Sequence, residues 1–272
     1  MADAEVQVLG IDWSGDKGGG AKTIWLATVA SGRMVWLANG RTRRQLIDDL
    51  VQLATRAPQI IVGLDFAFGM PSWFVHRRGA SDGLEFWSVV ANDGEQWLND
   101  APFPFYGKGG IKQPFGVELL RRTERNSPGA KSTFLINVPG AVGTGSIRGM
   151  PFLRDLRSHG WHVWPFDPPA FPLAIEIYPR ILTGPVKKGS WEQRREYLAT
   201  RFRQLDAGLA ERAASTEDAF DAAVSALVMA KQLQQLRQLP DLSNDPVDKV
   251  EGRIWNPADP DLLQGHQDRL FD

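Results

Sequence analysis

Two short apolar runs constrain this chain more than any other feature. Val6-Gln7-Val8-Leu9-Gly10-Ile11-Asp12 and Gln59-Ile60-Ile61-Val62-Gly63-Leu64-Asp65 both close on glycine, a branched aliphatic residue and aspartate. Runs this short and this apolar, bounded by turn residues, read as buried strands that open into loops. Between them, Thr23 to Ala30 and Met34 to Ala38 read as two further strands joined through Ser31-Gly32-Arg33, a turn tight enough to make them antiparallel neighbours. From Thr42 the period changes, and Leu46, Ile47, Leu50, Val51 and Leu53/Ala54 recur at helical spacing until Pro58. A helical crossover joins parallel strands, so the second acid-ending strand lies parallel to the first.

Beyond it, residues 71–145 are rich in Gly, Pro and aromatics and show little periodicity apart from helical patches at 82–98 and 115–125. This segment is expected to be an insertion or lid. Ile147 to Ser158 reads as a helix, His162 to Phe166 as a short strand and Leu173 to Tyr178 as the next clear strand. Trp191 to Arg203 and Thr216 to Leu236 read as helices, and the tail from Pro240 as loop-rich. Three antiparallel strands followed by helix-linked strands parallel to the first is the RNase H-like order. The expected fold is α/β: a mixed sheet flanked by helices, with the insertion after the fourth strand. At 272 residues the chain is long for one core and short for two, so a single domain over 1–272 is expected.

Composition narrows the chemistry. The absence of cysteine excludes disulfides, zinc-thiolate sites, iron–sulfur clusters and cysteine nucleophiles. The four histidines, His76, His159, His162 and His266, show no metal-binding spacing. A metal would therefore be held mainly by oxygen, which favours Mg²⁺ or Mn²⁺. A formal net charge of −1 argues against a broad basic field for coating duplex nucleic acid, though not against a local groove. The basic groups Arg41/Arg43/Arg44, Lys187/Lys188 and Arg194/Arg195 read mostly as solvated faces. No apolar run reaches the roughly 20 residues of a membrane helix. The start, Met1-Ala2-Asp3-Ala4-Glu5, carries neither a basic n-region nor an apolar h-region, which is the expectation for a cytoplasmic chain.

The acids carry the functional signal. Asp12 and Asp65 each end a buried parallel strand, the edge at which open α/β sheets bind ligands. Neighbouring carboxylates repel one another unless a cation lies between them. Asp218 and Asp221 are three apart on one helix and share a face. Thr216 suits the N-cap, and acids in the first turn complement the helix dipole, so Glu217 and Asp218 have a structural explanation. Asp221 does not, since it sits in the second turn amid Ala222, Ala223, Ala226, Leu227 and Ala230. Glu176, between Ile175 and Ile177, reads equally as polar alternation on a sheet face or as a further site acid.

Gly10-Ile11-Asp12, Val62 to Pro71, Glu176-Ile177-Tyr178-Pro179, Glu217 to Ala223 and Glu251-Gly252-Arg253-Ile254 together resemble a family of predicted RNase H-fold nucleases, a domain family of unknown function. The resemblance covers nearly the whole chain. The Asp-x-x-Asp on the last helix also resembles the resolvase branch of that superfamily. Carried onto this chain, the resemblance implies metal binding and catalysis by Asp12, Asp65, Asp218 and Asp221, with metal-assisted phosphodiester hydrolysis of nucleic acid or a nucleotide, in which two ions roughly 4 Å apart would activate water and stabilise the leaving oxygen. The resolvase pattern has glutamate on the fourth strand where this chain has the shorter Asp65.

Lys108, Lys112, Arg121, Arg122 and Arg125 are candidates to meet phosphates, and exposed tryptophans to stack on unpaired bases. Pro139 to Ser146, read as a loop ahead of a helix, offers Gly143, Gly145 and Ser146 as a backbone-amide phosphate cradle, although such segments are more often plain turns. Two rivals stay open. One is actin-like or sugar-kinase-like ATP binding through Asp12-Trp13-Ser14-Gly15 and Gly18-Gly19-Gly20; the other is a catalytically silent binding module.

Overall fold

The computed structural model describes residues 5–264. Met1 to Ala4 of the leader reading, and His266, lie outside them. The chain runs β1 (Gln7–Asp12), β2 (Trp25–Ala30), β3 (Arg33–Ala38), α1 (Arg43–Arg56), β4 (Ile60–Leu64), α2 (Ser72–Arg77), α3 (Gly83–Asp100), β5 (Tyr106–Gly107), α4 (Arg122–Arg125), β6 (Leu135–Ile136) and α5 (Val142–Ser158). It continues with β7 (His162–Val163), β8 (Leu173–Glu176), α6 (Pro179–Thr183), α7 (Trp191–Arg201), α8 (Ala207–Ala214), α9 (Glu217–Lys231), α10 (Leu233–Arg237), α11 (Asp248–Glu251) and α12 (Pro260–Gln264). Six strands form one sheet in the order β3-β2-β1-β4-β8-β7. The β1–β2 and β2–β3 pairs are antiparallel, whereas β1–β4, β4–β8 and β8–β7 are parallel. This is the expected RNase H-like arrangement.

The local rules behind these elements are visible. The β2–β3 turn passes through Ser31 and Gly32, both with positive φ, as a tight hairpin turn requires. In α1, Thr42 and Gln45 form a reciprocal capping box. Asp82 caps α3 by accepting from the Glu85 amide at 2.8 Å. Two expectations were displaced. The helical patch at 115–125 shrinks to α4 at Arg122–Arg125, and α5 begins at Val142, so Gly143 to Ser146 belong to its first turns and not to a loop ahead of it.

Strand alternation assigns each sheet residue to one of two cores. Leu9, Ile11, Ile60, Val62 and Leu64 face a cluster completed by α1, α3 and α5. Val8, Ile61, Leu173 and Ile175 face one completed by α9. Aromatic residues of the 71–145 segment, among them Phe74, Phe86, Trp97, Phe105 and Phe134, pack edge-to-face or stacked within the first cluster. That segment thus supplies much of the core on its side of the sheet.

The close approach of α9 decides the site. A Cβ on Gly10 would lie 2.6 Å from both the Ala222 carbonyl oxygen and the Ala226 amide nitrogen, and one on Gly63 would lie 2.6 Å from Met229 Sδ. Glycine in β1 and β4, aligned in register, and alanines 219, 222, 223 and 226 in α9, all buried, let helix and sheet meet almost backbone to backbone. Among the described residues no helix is long and apolar enough to cross a membrane.

Candidate active site

Asp12 ends β1, and the amide of Asp65, the residue after β4, donates to Ile11 O at 3.0 Å. Parity places both side chains on the face that receives α9, since they continue the series Val8, Gly10 and Ile61, Gly63. On that face α9, N-capped by Thr216 through the Ala219 amide at 3.0 Å, delivers Asp221 from its second turn and Asp218 from its first. The structure therefore groups all four aspartates at the carboxyl edge of β1 and β4.

Their electrostatics are those of crowded acids. Asp12 and Asp65 lie deep among protein atoms yet keep an accessible edge. The Asp12 carboxyl is pushed well above the usual carboxylate range by burial first, then by the charges of Asp65, Asp221 and Asp218. Asp65 is raised likewise, by burial and then Asp221, with Lys188 opposing and Glu176 and Asp218 adding. Burial raises Asp221 to about 6 against the pull of Lys188. Asp218, nearer the surface, is raised by burial and by Glu217. One oxygen of Asp221, Oδ2, receives Lys188 Nζ at 2.7 Å. The other, Oδ1, is buried with no hydrogen-bond partner, a costly state for a carboxylate oxygen.

Lys188 escaped the sequence reading, which grouped it with Lys187 as a solvated pair. Its only signal was position, in a Lys-Lys-Gly-Ser loop just before the Ser190 cap of α7. Only the fold brings that loop to α9.

Glu176 departs from the cluster. It follows Ala174 in parity and points to the opposite face of the sheet. There Oε1 accepts from Arg121 Nη2 at 2.5 Å, and Oε2 accepts from Arg121 Nη1 at 2.9 Å and the Phe68 amide at 2.8 Å. Arg121 also donates from Nε to Glu124 at 2.8 Å and from Nη1 to Glu251 O at 3.0 Å. Arg121 is 1% exposed, Glu176 2% and Glu124 4%, so this network is almost wholly buried, with all three residues at the wall of a cavity beside Asp65. Glu251 adds bonds to the Ser72 amide at 2.8 Å and the Arg122 amide at 2.6 Å. The segments around Phe68, Glu176 and Glu251 thus meet around Arg121 and fasten the loop that follows Asp65.

Of the residues expected to meet phosphate, most are engaged elsewhere. Arg121 is buried as above, and Arg122 pairs with Asp245 at 2.8 Å and Asp248 at 2.6 Å. Arg125 pairs with Glu118 at 3.1 Å, and Lys108 donates to the Leu98 and Asn99 carbonyls. Lys112 is exposed. Gly143 is buried, and a Cβ there would lie 2.1 Å from Thr133 O. Buried Ser146 accepts from the Ala67 amide at 2.9 Å, another tie on the loop after Asp65. Gly145 packs on Gly15, where an added Cβ would lie 2.7 Å from the Gly145 nitrogen. Seven of the ten tryptophans are buried, while Trp36 and Trp191 are exposed at 51% and 39%.

A cavity of about 310 Å³ opens beside Asp65 between Trp13, Tyr178, Lys131 and the first turn of α5. The loop after β1 that flanks it is held by Arg43, which donates to the Ser14 and Asp16 carbonyls at 2.8 Å, and by Arg148, which bonds Gly15 O.

The donor set suits a hard divalent ion: all oxygen, negatively charged, with one buried oxygen unpartnered. Among the described residues no three His, Cys, Asp or Glu side chains already form a ligand shell; an ion would have to draw the carboxylates inward. Comparison of the chain with protein-family models, with characterised proteins and with solved structures finds no match.

Proposed function

We propose that this protein is a metal-dependent nuclease that hydrolyses phosphodiester bonds through a carboxylate-held Mg²⁺ or Mn²⁺ at the edge of β1 and β4. The observation that carries this reading is the placement of Asp12, Asp65 and Asp221 on the one face of the sheet edge that receives α9, each with a charge penalised by burial and acidic neighbours, together with a buried Asp221 Oδ1 that has no hydrogen-bond partner. Asp12, Asp65 and Asp221 would hold the metal, and Asp218, a helical turn nearer the surface, would hold it from the rim or through water. The bound metal would supply Lewis-acid polarisation of the phosphate and a more acidic water. The carboxylates act as ligands. The buried Arg121 network and Ser146 hold the backbone after Asp65 in place, and preorganisation of this kind is what a catalytic shell requires. The cavity beside Asp65, at the small end of the roughly 300–1,000 Å³ range of ligand sites, has room for one nucleotide unit against Trp13 and Tyr178, with Lys131 at its wall.

The test is cleavage of labelled duplex, single-stranded and branched DNA, and of RNA, with Mg²⁺, Mn²⁺ or EDTA, comparing wild type with Asp12→Asn. Metal-dependent cleavage lost in the variant is expected. No cleavage of any substrate by folded wild type, with or without metal, would refute the nuclease reading.

A further inference from the structure

Lys188 is the one ammonium inside the aspartate cluster among the described residues. Its Nζ lies 2.7 Å from Asp221 Oδ2, and the two side chains are 15% and 14% exposed. The backbone that carries it is clipped to the junction between α8 and α9. Arg194, 6% exposed, bonds the Lys188 carbonyl through Nη1, the Ala214 carbonyl at 2.8 Å through Nε and the Ser215 carbonyl at 3.4 Å through Nη2. The lysine is thus anchored from behind and aimed at the second turn of α9. A well-packed apolar pair would stabilise such a site at least as well as a buried ion pair. The effect of Lys188 therefore lies in the cluster's demand for cations. Four ionised aspartates with one ammonium leave three uncompensated charges; one divalent ion reduces these to one, and a second would invert the sign.

Resting on the metal-site reading above, we propose that Lys188 is the built-in cation of this site, supplying positive charge that a second metal would otherwise bring, so that the aspartates accept a single divalent ion. Asp221 then meets the ion through Oδ1 while Oδ2 stays on Lys188, and Lys188 acts as a positioning residue that sets how many ions the cluster takes.

The test is the stoichiometry of Mn²⁺ binding, read from the electron paramagnetic resonance signal of free Mn²⁺ during titration of the full chain. Wild type and Lys188→Arg are expected to bind one Mn²⁺. Lys188→Gln is expected to bind two, with the second affinity within about tenfold of the first. Two ions on wild type, or one ion with unchanged affinity on a folded Lys188→Gln, would overturn the proposal and leave the metal site standing. No Mn²⁺ on any of the three proteins would overturn both readings together. Where Lys188→Gln fails to fold, Lys188→Met, which keeps the length and apolar stem of the side chain without its charge, is the variant expected to bind two, and one ion with unchanged affinity on it overturns the proposal.

Discussion

The crowding of Asp12, Asp65 and Asp221 makes the metal-free protein least stable at the pH where its carboxylates ionise. Asp221 gives the magnitude. Its carboxyl titrates near 6 in the folded protein against 3.8 for the unperturbed group. At about 1.4 kcal/mol per pKa unit, that difference corresponds to about 3 kcal/mol. Because the folded value is the higher one, this contribution is fully present below about pH 4 and is lost as pH rises through about 6. Asp12 and Asp65 shift in the same direction and add to the loss. Replacing Asp12 by Asn removes one buried charge and its repulsion of the other two. The variant is therefore expected to be more stable than wild type at pH 7.5 in EDTA, and the gain should vanish near pH 4. A gain of about 1–3 kcal/mol corresponds to a melting temperature higher by roughly 2–8 °C for a chain of this size. The assay is thermal unfolding by circular dichroism from pH 4 to 8 in EDTA, wild type beside Asp12→Asn, repeated with Mg²⁺. Magnesium should raise the wild-type melting temperature at pH 7.5 more than that of the variant. Equal melting temperatures for the two proteins at pH 7.5 in EDTA would refute the crowding argument, as would a gain independent of pH. Surface carboxylates titrate in both proteins and cancel in the comparison.

Two further outcomes follow from packing. Gly10→Ala puts a methyl 2.6 Å from the α9 backbone at Ala222 and Ala226, so the helix must shift; a stability loss of about 1–3 kcal/mol by urea denaturation, together with weaker Mn²⁺ binding, is expected, and unchanged stability would contradict the close approach. Arg121→Met strands Glu176 and Glu124, which are 2% and 4% exposed, and is expected to cost about 3–5 kcal/mol in the same assay; a loss below about 1 kcal/mol would show that the network does not brace the loop after Asp65.

The parts of the fold that were legible in the sequence are those governed by local periodicity. Asp12 and Asp65 announced themselves because an acid at the end of an apolar strand breaks the pattern of a buried run, and Asp221 because it interrupts an alanine-rich helix face. The segment 115–125 misled: Leu119, Arg121, Thr123 and Glu124 are buried, yet only Arg122–Arg125 is helical, since Arg121 is buried by its bonds to Glu176 and Glu251 and not as the face of an amphipathic helix. The first turns of α5 were hidden by Gly143 and Gly145, which disfavour helix locally. Gly143 is required there by Thr133 O and Gly145 by its contact with Gly15.

By itself, the sequence determined the strand and helix order, the mixed sheet and the candidacy of four aspartates, because hydrophobic period and strand-end position are properties of neighbouring residues. The tertiary structure decided which charges share a site. Strand parity turned Glu176 to the far face and into the Arg121 network. The Gly10–Ala222 approach brought Asp221 to Asp12 and Asp65, and a loop 33 residues before Asp221 supplied Lys188. Such pairings depend on which face of the sheet each element covers, and no window of sequence contains both partners.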